Sequence, residues 1–253
     1  MPSTERVGII IQARMDSKRL PGKALIDLEG KPLLRRLCDR MTLCRKANDL
    51  VVATSDKPQD DAIEEACGSW KIPVYRGPEK DLTARFLGAV NARKLSAFVR
   101  VTGDNPLTDP AGVDDLIEEF LGSRQQNGSA VKIVHNSHRG GYPYGTGAEL
   151  AARSVLEECD RELQSASDRE CFMSFARSCP ERFPCMKIPA PTHLLRPQYF
   201  MTVDHAEDLD VHREIYHHFY GRDDMTLEEI VDFLDGNPEL TKLNSRLHEA
   251  FTE

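Results

Sequence analysis

Four short apolar runs, Val7–Ile11, Leu50–Thr54, Pro73–Arg76 and Ala97–Thr102, punctuate the first part of the chain, with helical stretches between them. The runs are rich in β-branched residues and continuous rather than alternating, the pattern of strands buried on both faces. After Pro32, the residues Leu33, Leu34, Leu37 and Met41 share one helical face. A second helix is predicted from the capping pair Asp60-Asp61 to about Cys67, ended by Gly68, and a third from Asp81 to Lys94. Strands alternating with helices at this spacing predict an α/β fold with a doubly wound, mostly parallel sheet.

From about Gly122 the pattern loosens. Ala130–Val134 reads as a further strand and His138–Gly147 as a long ordered loop. Helices are predicted at Arg153–Cys159 and Ser167–Cys179, with extended segments at Phe183–Ile188 and Tyr199–Val203. A helix follows from Glu207 to Tyr220. Thr226-Leu-Glu-Glu229 is a capping box for a last helix, stopped at Gly236-Asn237-Pro238. With 253 residues, the chain reads as one domain spanning 1–253, with a small acceptor or dimerisation lobe inserted at about 135–200.

Composition narrows the function. No apolar run approaches the roughly 18 residues of a membrane span, and no hydrophobic leader precedes the first strand. The seven cysteines include no C-x-x-C pair, so reduced, mostly buried thiols in a cytoplasmic protein are expected. A formal net charge of −8 argues against a nucleic-acid partner and fits a local cationic site for a small anion.

Such a site is visible where the first strand ends. Ile9–Lys23 passes from an apolar run into a loop bearing Arg14, Ser17, Lys18, Arg19 and Lys23, with Pro21-Gly22 near its end. Cations and backbone N–H groups at a strand end suit a polyphosphate. The loop is not a Walker A motif, because Ala24 follows Lys23 and no glycine stands five residues before Gly22. Asp104 and Asp204 each follow a predicted strand, so both carboxylates are expected on the same sheet edge as the loop. Polyphosphate with one or two carboxylates is the usual setting of Mg²⁺. For either aspartate alone, helix capping explains the position equally well. His135-x-x-His138 and His217-His218 lack partners at zinc-ligand spacing. Gly145-Thr-Gly147 lacks the third glycine of a dinucleotide fingerprint, and there is no G-x-S-x-G elbow. Catalysis should therefore rest on alignment and charge rather than on a covalent intermediate.

These residues carry a resemblance to the cytidylyltransferases that activate acidic sugars with CTP, within them the spore-coat-polysaccharide-type group. It runs through Gln12–Lys23 (QARMDSKRLPGK), Val51–Asp56 (VVATSD), Ala84–Phe86, Arg100–Leu107 (RVTGDNPL), Ser167–Glu170 and Thr202–Leu209. The resemblance implies a Rossmann-like, homodimeric nucleotidyltransferase that uses CTP and Mg²⁺. Gln12, Ala13, Arg14, Ser17, Arg19, Lys23, Thr54, Arg85, Arg100, Thr102 and Gly103 then fall at the nucleotide. Lys23, Arg14, Arg19 and Asp104 would be catalytic, and Asp104 and Asp204 would hold the metal.

Several positions depart from the group's pattern. Asp16 replaces a glycine and Lys18 a threonine, Cys171-Phe172 follows Arg169-Glu170, and Tyr144 and Gly147 stand where acids are usual. The departures fall mostly in the acceptor lobe. A 3-deoxy-2-ulosonic or nonulosonic acid is the default acceptor, with a phosphonate as the alternative. Tyr142, Glu149, Arg169 and Arg196 are the candidate acceptor residues, and Arg139 and Arg153 are further possible clamps. Gly147–Leu150 and Phe183–Ile188 are the candidate dimer surfaces. A metal-dependent glycosyltransferase or a nucleotide-sensing scaffold are the competing readings.

Overall fold

The computed structural model describes residues 5–125 and 131–251. In chain order its elements begin with β1 (Val7–Gln12), a hairpin of β2 (Asp27–Leu28) and β3 (Lys31–Pro32), α1 (Leu33–Met41), β4 (Asp49–Ser55), α2 (Asp61–Ser69), β5 (Val74–Gly77), α3 (Leu82–Ala92), β6 (Ala97–Thr102) and α4 (Pro110–Gln125). Then come β7 (Ile133–His135), β8 (Glu149–Ala152), α5 (Arg153–Glu162), α6 (Ala166–Glu170), α7 (Phe172–Ser178), β9 (Cys185–Lys187), α8 (Ala206–His218), α9 (Leu227–Gly236) and α10 (Pro238–Ser245).

The main sheet runs β5-β4-β1-β6-β8-β7-β9. β1 pairs parallel with β4 on one side and β6 on the other. Ile9, Ile10 and Ile11 are consequently sealed, and each contributes roughly 1.5–3 kcal/mol by burial. The parallel runs are thus strands, as their β-branched continuity predicts. β8 is antiparallel to β6 and β7, while β7 and β9 pair parallel. Among the described residues no helix is long and apolar enough to cross a membrane.

Several local expectations need correction. Asp60 precedes α2 but its carboxylate caps nothing there; it accepts instead from the Met15 and Ser55 backbone N–H groups, at 2.7 and 3.2 Å, and from the Ser55 hydroxyl. α2 runs past Gly68, and the left-handed residue beyond it is Lys71 (φ 61°). The Ser167–Cys179 helix is two helices, broken at Cys171, whose ψ of 27° leaves the helical range. Ala130 lies outside the described residues, and the strand nearby is β7. Patterning misses α4 and β8 altogether. β8 is buried between β6 and β7, so Glu149 and Leu150, half of Gly147–Leu150, are sheet interior rather than a docking face. Pro238 starts α10 instead of only ending α9, a normal place for proline at a first helical turn.

Tyr199–Val203 is extended, yet it is not a strand of the main sheet. Phe200 forms an isolated parallel bridge with Tyr144. Tyr144 N–H donates to Tyr199 O (2.8 Å) and Met201 N–H to Tyr144 O (2.6 Å), while Val203 N–H reaches Asp104 O (2.8 Å). Gly145, at φ 91°, lets the loop lie against this segment, since a Cβ there would meet the Met201 carbonyl carbon at 2.6 Å. Met201 and Val203 also join a second apolar core with Leu33, Leu209, Ile215 and Ile230. The segment carrying Asp204 is thereby fixed from both sides.

Gly103 follows β6 where the chain passes under β1. A Cβ there would stand 2.7 Å from Gln12 O and 3.0 Å from the Ala13 Cβ. Gly103→Ala should therefore lower unfolding free energy by about 1–3 kcal/mol, the usual cost of overpacking, as measured by urea denaturation.

Candidate active site

The loop between β1 and the hairpin is built from the end of a buried strand and held in place by its own backbone. Gly22 N–H donates to Met15 O (3.0 Å), with Gly22 in the left-handed region at φ 72° that glycine adopts without strain. Met15 N–H is spoken for by Asp60 and Leu20 N–H by the Ser17 hydroxyl (3.3 Å). Much of the loop's N–H complement is therefore internal, and its side chains supply most of what faces outward.

Those side chains line a cleft of about 630 Å³. Gln12, Ala13, Arg14, Ser17, Arg19, Lys23, Arg85, Thr102, Gly103, Asp104 and Asp204 all border it. Lys23 Nζ donates to Asp104 Oδ2 (2.9 Å), to Asp204 Oδ1 (2.8 Å) and to Val203 O (2.9 Å). Arg19 meets the other Asp204 oxygen at 2.7 Å. Burial opposes the charge on Lys23, but Asp104 and Asp204 outweigh it and raise its pKa above the ordinary lysine value. Arg14 pairs with Glu170 at 3.2 Å, and both Arg14 and the buried Arg85 donate to Glu79 O. Burial, followed by the neighbouring Arg14, lowers the pKa of Arg85. Two guanidiniums that share one carbonyl repel each other, and an anion beside them would relieve the repulsion.

Neither aspartate serves as the cap of α8 or α4. The N-cap of α8 is His205, and Asp208 accepts from the Asp204 and His205 N–H groups at 2.9 and 2.8 Å. Asp109 takes the Gly112 N–H at the start of α4. Among the described residues no group of three His, Cys, Asp or Glu side chains is arranged around a metal. The two aspartates and Val203 O nonetheless converge on one cation, the Lys23 ammonium. Hard oxygen donors in that number suit Mg²⁺ when water and phosphate complete the shell.

Two nucleotide candidates lie elsewhere. Thr54 is fully buried in β4 with an unpartnered hydroxyl, and it does not line the cleft. Arg100 donates to Gln12 Oε1 (3.0 Å) and Glu149 Oε2 (2.7 Å) and lines a second cavity of about 800 Å³. The two cavities share Thr102. Of the candidates Tyr142, Glu149, Arg153, Arg169 and Arg196, only Glu149 borders the second one. Tyr142 packs in a small core with Leu194, Leu227 and Val231. Arg169 is held by Asp81 and Asp160, and Arg196 by Asp235; Arg153 pairs with Glu157 one helical turn on. The Arg139 side chain lies outside what is described.

Sequence patterning gives no site role to the other residues that line this second cavity, among them Ser137, Ser174, Arg177, Ser178 and Lys187, while His135, His138 and Tyr144 are noted in the sequence only in other connections. They come from β7, α7, β9 and the intervening loop, and no motif joins them. Glu149 sits between Arg100 and Arg177. Elsewhere, burial pushes the Cys159 thiol up to about 11, which removes it as a nucleophile.

A parallel sheet whose carboxyl edge carries a cationic loop opposite two aspartates is the framework of a nucleotidyltransferase. Residues 8–146 match the cytidylyltransferase family, and the chain belongs to it. It is 33% identical over 236 residues to the spore coat polysaccharide biosynthesis protein SpsF of Bacillus subtilis, covering 91% of this chain and 94% of that one. A 3-deoxy-manno-octulosonate cytidylyltransferase of Chlorobium limicola is 37% identical over 113 residues, 45% of each chain. The solved structure of a cytidylyltransferase from Leptospira borgpetersenii superposes with a TM-score of 0.87 at 26% identity, covering 94% of this chain and 97% of that one.

Burial, then the charges of Arg177 and Lys187, press the His135 pKa down to about 4. By NMR the His135 ring should stay neutral on acidification past its free value of about 6.5. Lys187→Met should move its midpoint upward, because one like charge is gone. A midpoint that Lys187→Met leaves where it is would mean that the Lys187 charge does not reach the ring.

Proposed function

We propose that the protein transfers CMP from CTP to a small polyhydroxylated carboxylic acid, of the 3-deoxy-2-ulosonic or nonulosonic type, and releases pyrophosphate. One observation carries this reading: Lys23, Asp104 and Asp204, far apart in sequence, meet within hydrogen-bonding distance beside the basic loop. The match to a 3-deoxy-manno-octulosonate cytidylyltransferase supports the choice of acid.

In this reading the triphosphate lies in the 630 Å³ cleft. Arg14, Arg19 and Lys23 bind the β- and γ-phosphates and stabilise charge that gathers on the departing pyrophosphate. The acceptor occupies the 800 Å³ cavity, a size within the range that encloses a small organic ligand. Lys187 has no ion pair among the described residues and meets the acid's carboxylate, while Ser174, Ser178 and Ser137 face its hydroxyls. The junction at Thr102 sets the acceptor hydroxyl in line with the α-phosphorus. The new O–P bond forms as the α–β bridging P–O bond breaks, and the hydroxyl proton leaves to solvent. Asp104 and Asp204 hold Mg²⁺, which when bound neutralises phosphate charge. Alignment and electrostatics supply the rate, as in phosphoryl-type transfer generally.

A phosphonate is the weaker alternative. Arg100, Arg177 and Lys187 face one carboxylate, Glu149, and the surplus of two positive charges would accept a dianion as well as a monoanion, so it is the relatives that favour the sugar acid.

A pyrophosphate-release screen of CTP, ATP, GTP and UTP against ulosonic acids, nonulosonic acids and phosphonates tests the reading. CTP with a sugar acid should turn over, and no release with any acid would overturn it. Lys23→Ala or Asp104→Asn should cut turnover by roughly two to three decades, the scale for one lost electrostatic partner. Lys187→Met should raise the KM for the acid by about 10- to 100-fold, that of a charge-assisted hydrogen bond, with the KM for CTP unchanged.

A further inference from the structure

Three cations of the basic loop already have partners. Arg14 is held by Glu170 and Arg19 by Asp204 Oδ2. Lys23 spends all three of its N–H donors on Asp104, Asp204 and Val203 O. Both Asp204 oxygens are thus already in contact with a cation. Across the whole cleft six Lys or Arg side chains face five Asp or Glu side chains, so the charge is almost balanced.

A balanced cleft receives neither ligand well by itself. A divalent ion reaching Asp104 and Asp204 finds its oxygen donors in use, with Lys23 and Arg19 repelling it. A polyphosphate arriving without metal must approach the same two carboxylates. Brought together, the two remove each other's obstacle, because phosphate oxygens accept the lysine and arginine while the freed carboxylates accept the metal.

We propose that the Lys23 ammonium and a divalent metal ion are alternative occupants of the Asp104–Asp204 carboxylate pair, exchanged when polyphosphate draws Lys23 away. The proposal rests on the reading of this cleft as a site for metal-bound triphosphate, but on neither the base nor the acceptor. Lys23 is in this view both a ligand of the leaving group and a placeholder that keeps two carboxylates together before substrate binds. Metal and polyphosphate then bind cooperatively, and by linkage each tightens the other equally.

Two measurements on the full chain decide it. In the first, Mn²⁺ is titrated by electron paramagnetic resonance into the wild type and Lys23→Met, with no nucleotide present. Lys23→Met should bind Mn²⁺ tighter by roughly 5- to 150-fold, the usual range of a coupling between sites. Adding Asp104→Asn should abolish the gain. Equal Mn²⁺ affinity in wild type and a folded Lys23→Met overturns the proposal.

The second uses wild type alone, so it survives a variant that fails to fold. The side-chain ammonium resonance of Lys23 is followed by ¹⁵N NMR. Mg²⁺ alone should leave it in place, and Mg²⁺ with inorganic pyrophosphate should displace it. A resonance that Mg²⁺ alone displaces, or that both together leave unmoved while the Arg14 and Arg19 resonances shift, overturns the exchange but spares the CTP reading. If none of the three responds to Mg²⁺ with pyrophosphate, the exchange and the polyphosphate site fall together.

Discussion

The ammonium of Lys23 joins three parts of the chain that have no sequence proximity. It comes from the loop after β1, Asp104 from the turn after β6, and Asp204 from the segment before α8. Two carboxylates so close repel each other, and such a pair persists only with a cation between them or with one proton taken up. Lys23 supplies the cation, and its raised pKa is the same interaction seen from the other side. The cleft's shape therefore follows from one charge balance rather than from loop geometry alone.

That balance is backed by a rigid frame. Val203 N–H bonds to Asp104 O, so the two aspartates are separated by one peptide contact as well as by the lysine. Asp208, fully buried one turn into α8, accepts from the Asp204 and His205 N–H groups, from Asn244 and from His248. Burial alone would raise its pKa, but these donors hold it down at about 2. The C-terminal helices, remote from the cleft in sequence, thus set where Asp204 points. On the opposite side Asp60 ties the basic loop to the end of β4 through Met15 and Ser55. Side chains held this way lose little entropy on meeting substrate, the physical content of preorganisation.

What the sequence makes legible is whatever leaves a local signature. The β-branched runs of β1, β4 and β6 can hardly be anything but buried strands, and the capping box at Thr226 forms as its spacing requires. The cationic loop and the aspartates after β6 and before α8 are readable because each sits at an abrupt change of polarity. The second cavity has no such signature. Lys187 lies on a three-residue edge strand and Arg177 near the end of a seven-residue helix, both polar positions in a short element. Only the reversed strand β8, with Glu149 buried between two arginines, brings them to Arg100. Asp60 was legible as a cap because its neighbours are those of a cap; its real bonds go to Met15, which local spacing cannot disclose.

The two cavities also differ in how their charge is arranged, and the difference has a chemical consequence. In the first, Arg14, Arg19 and Lys23 each face a carboxylate brought from another element, so the field near the basic loop is muted, and in the proposed reading a polyanion competes for them. In the second, Arg100, Arg177 and Lys187 face Glu149 alone among the carboxylates that line it, and the His135 ring stays neutral beneath them. In the proposed reading the acceptor's carboxylate meets a positive potential there, in a recess where Coulomb attraction exceeds that in bulk water. The two cavities are thus distinguished by their charge: among the described residues, six cations line the first against five carboxylates, and three line the second against one.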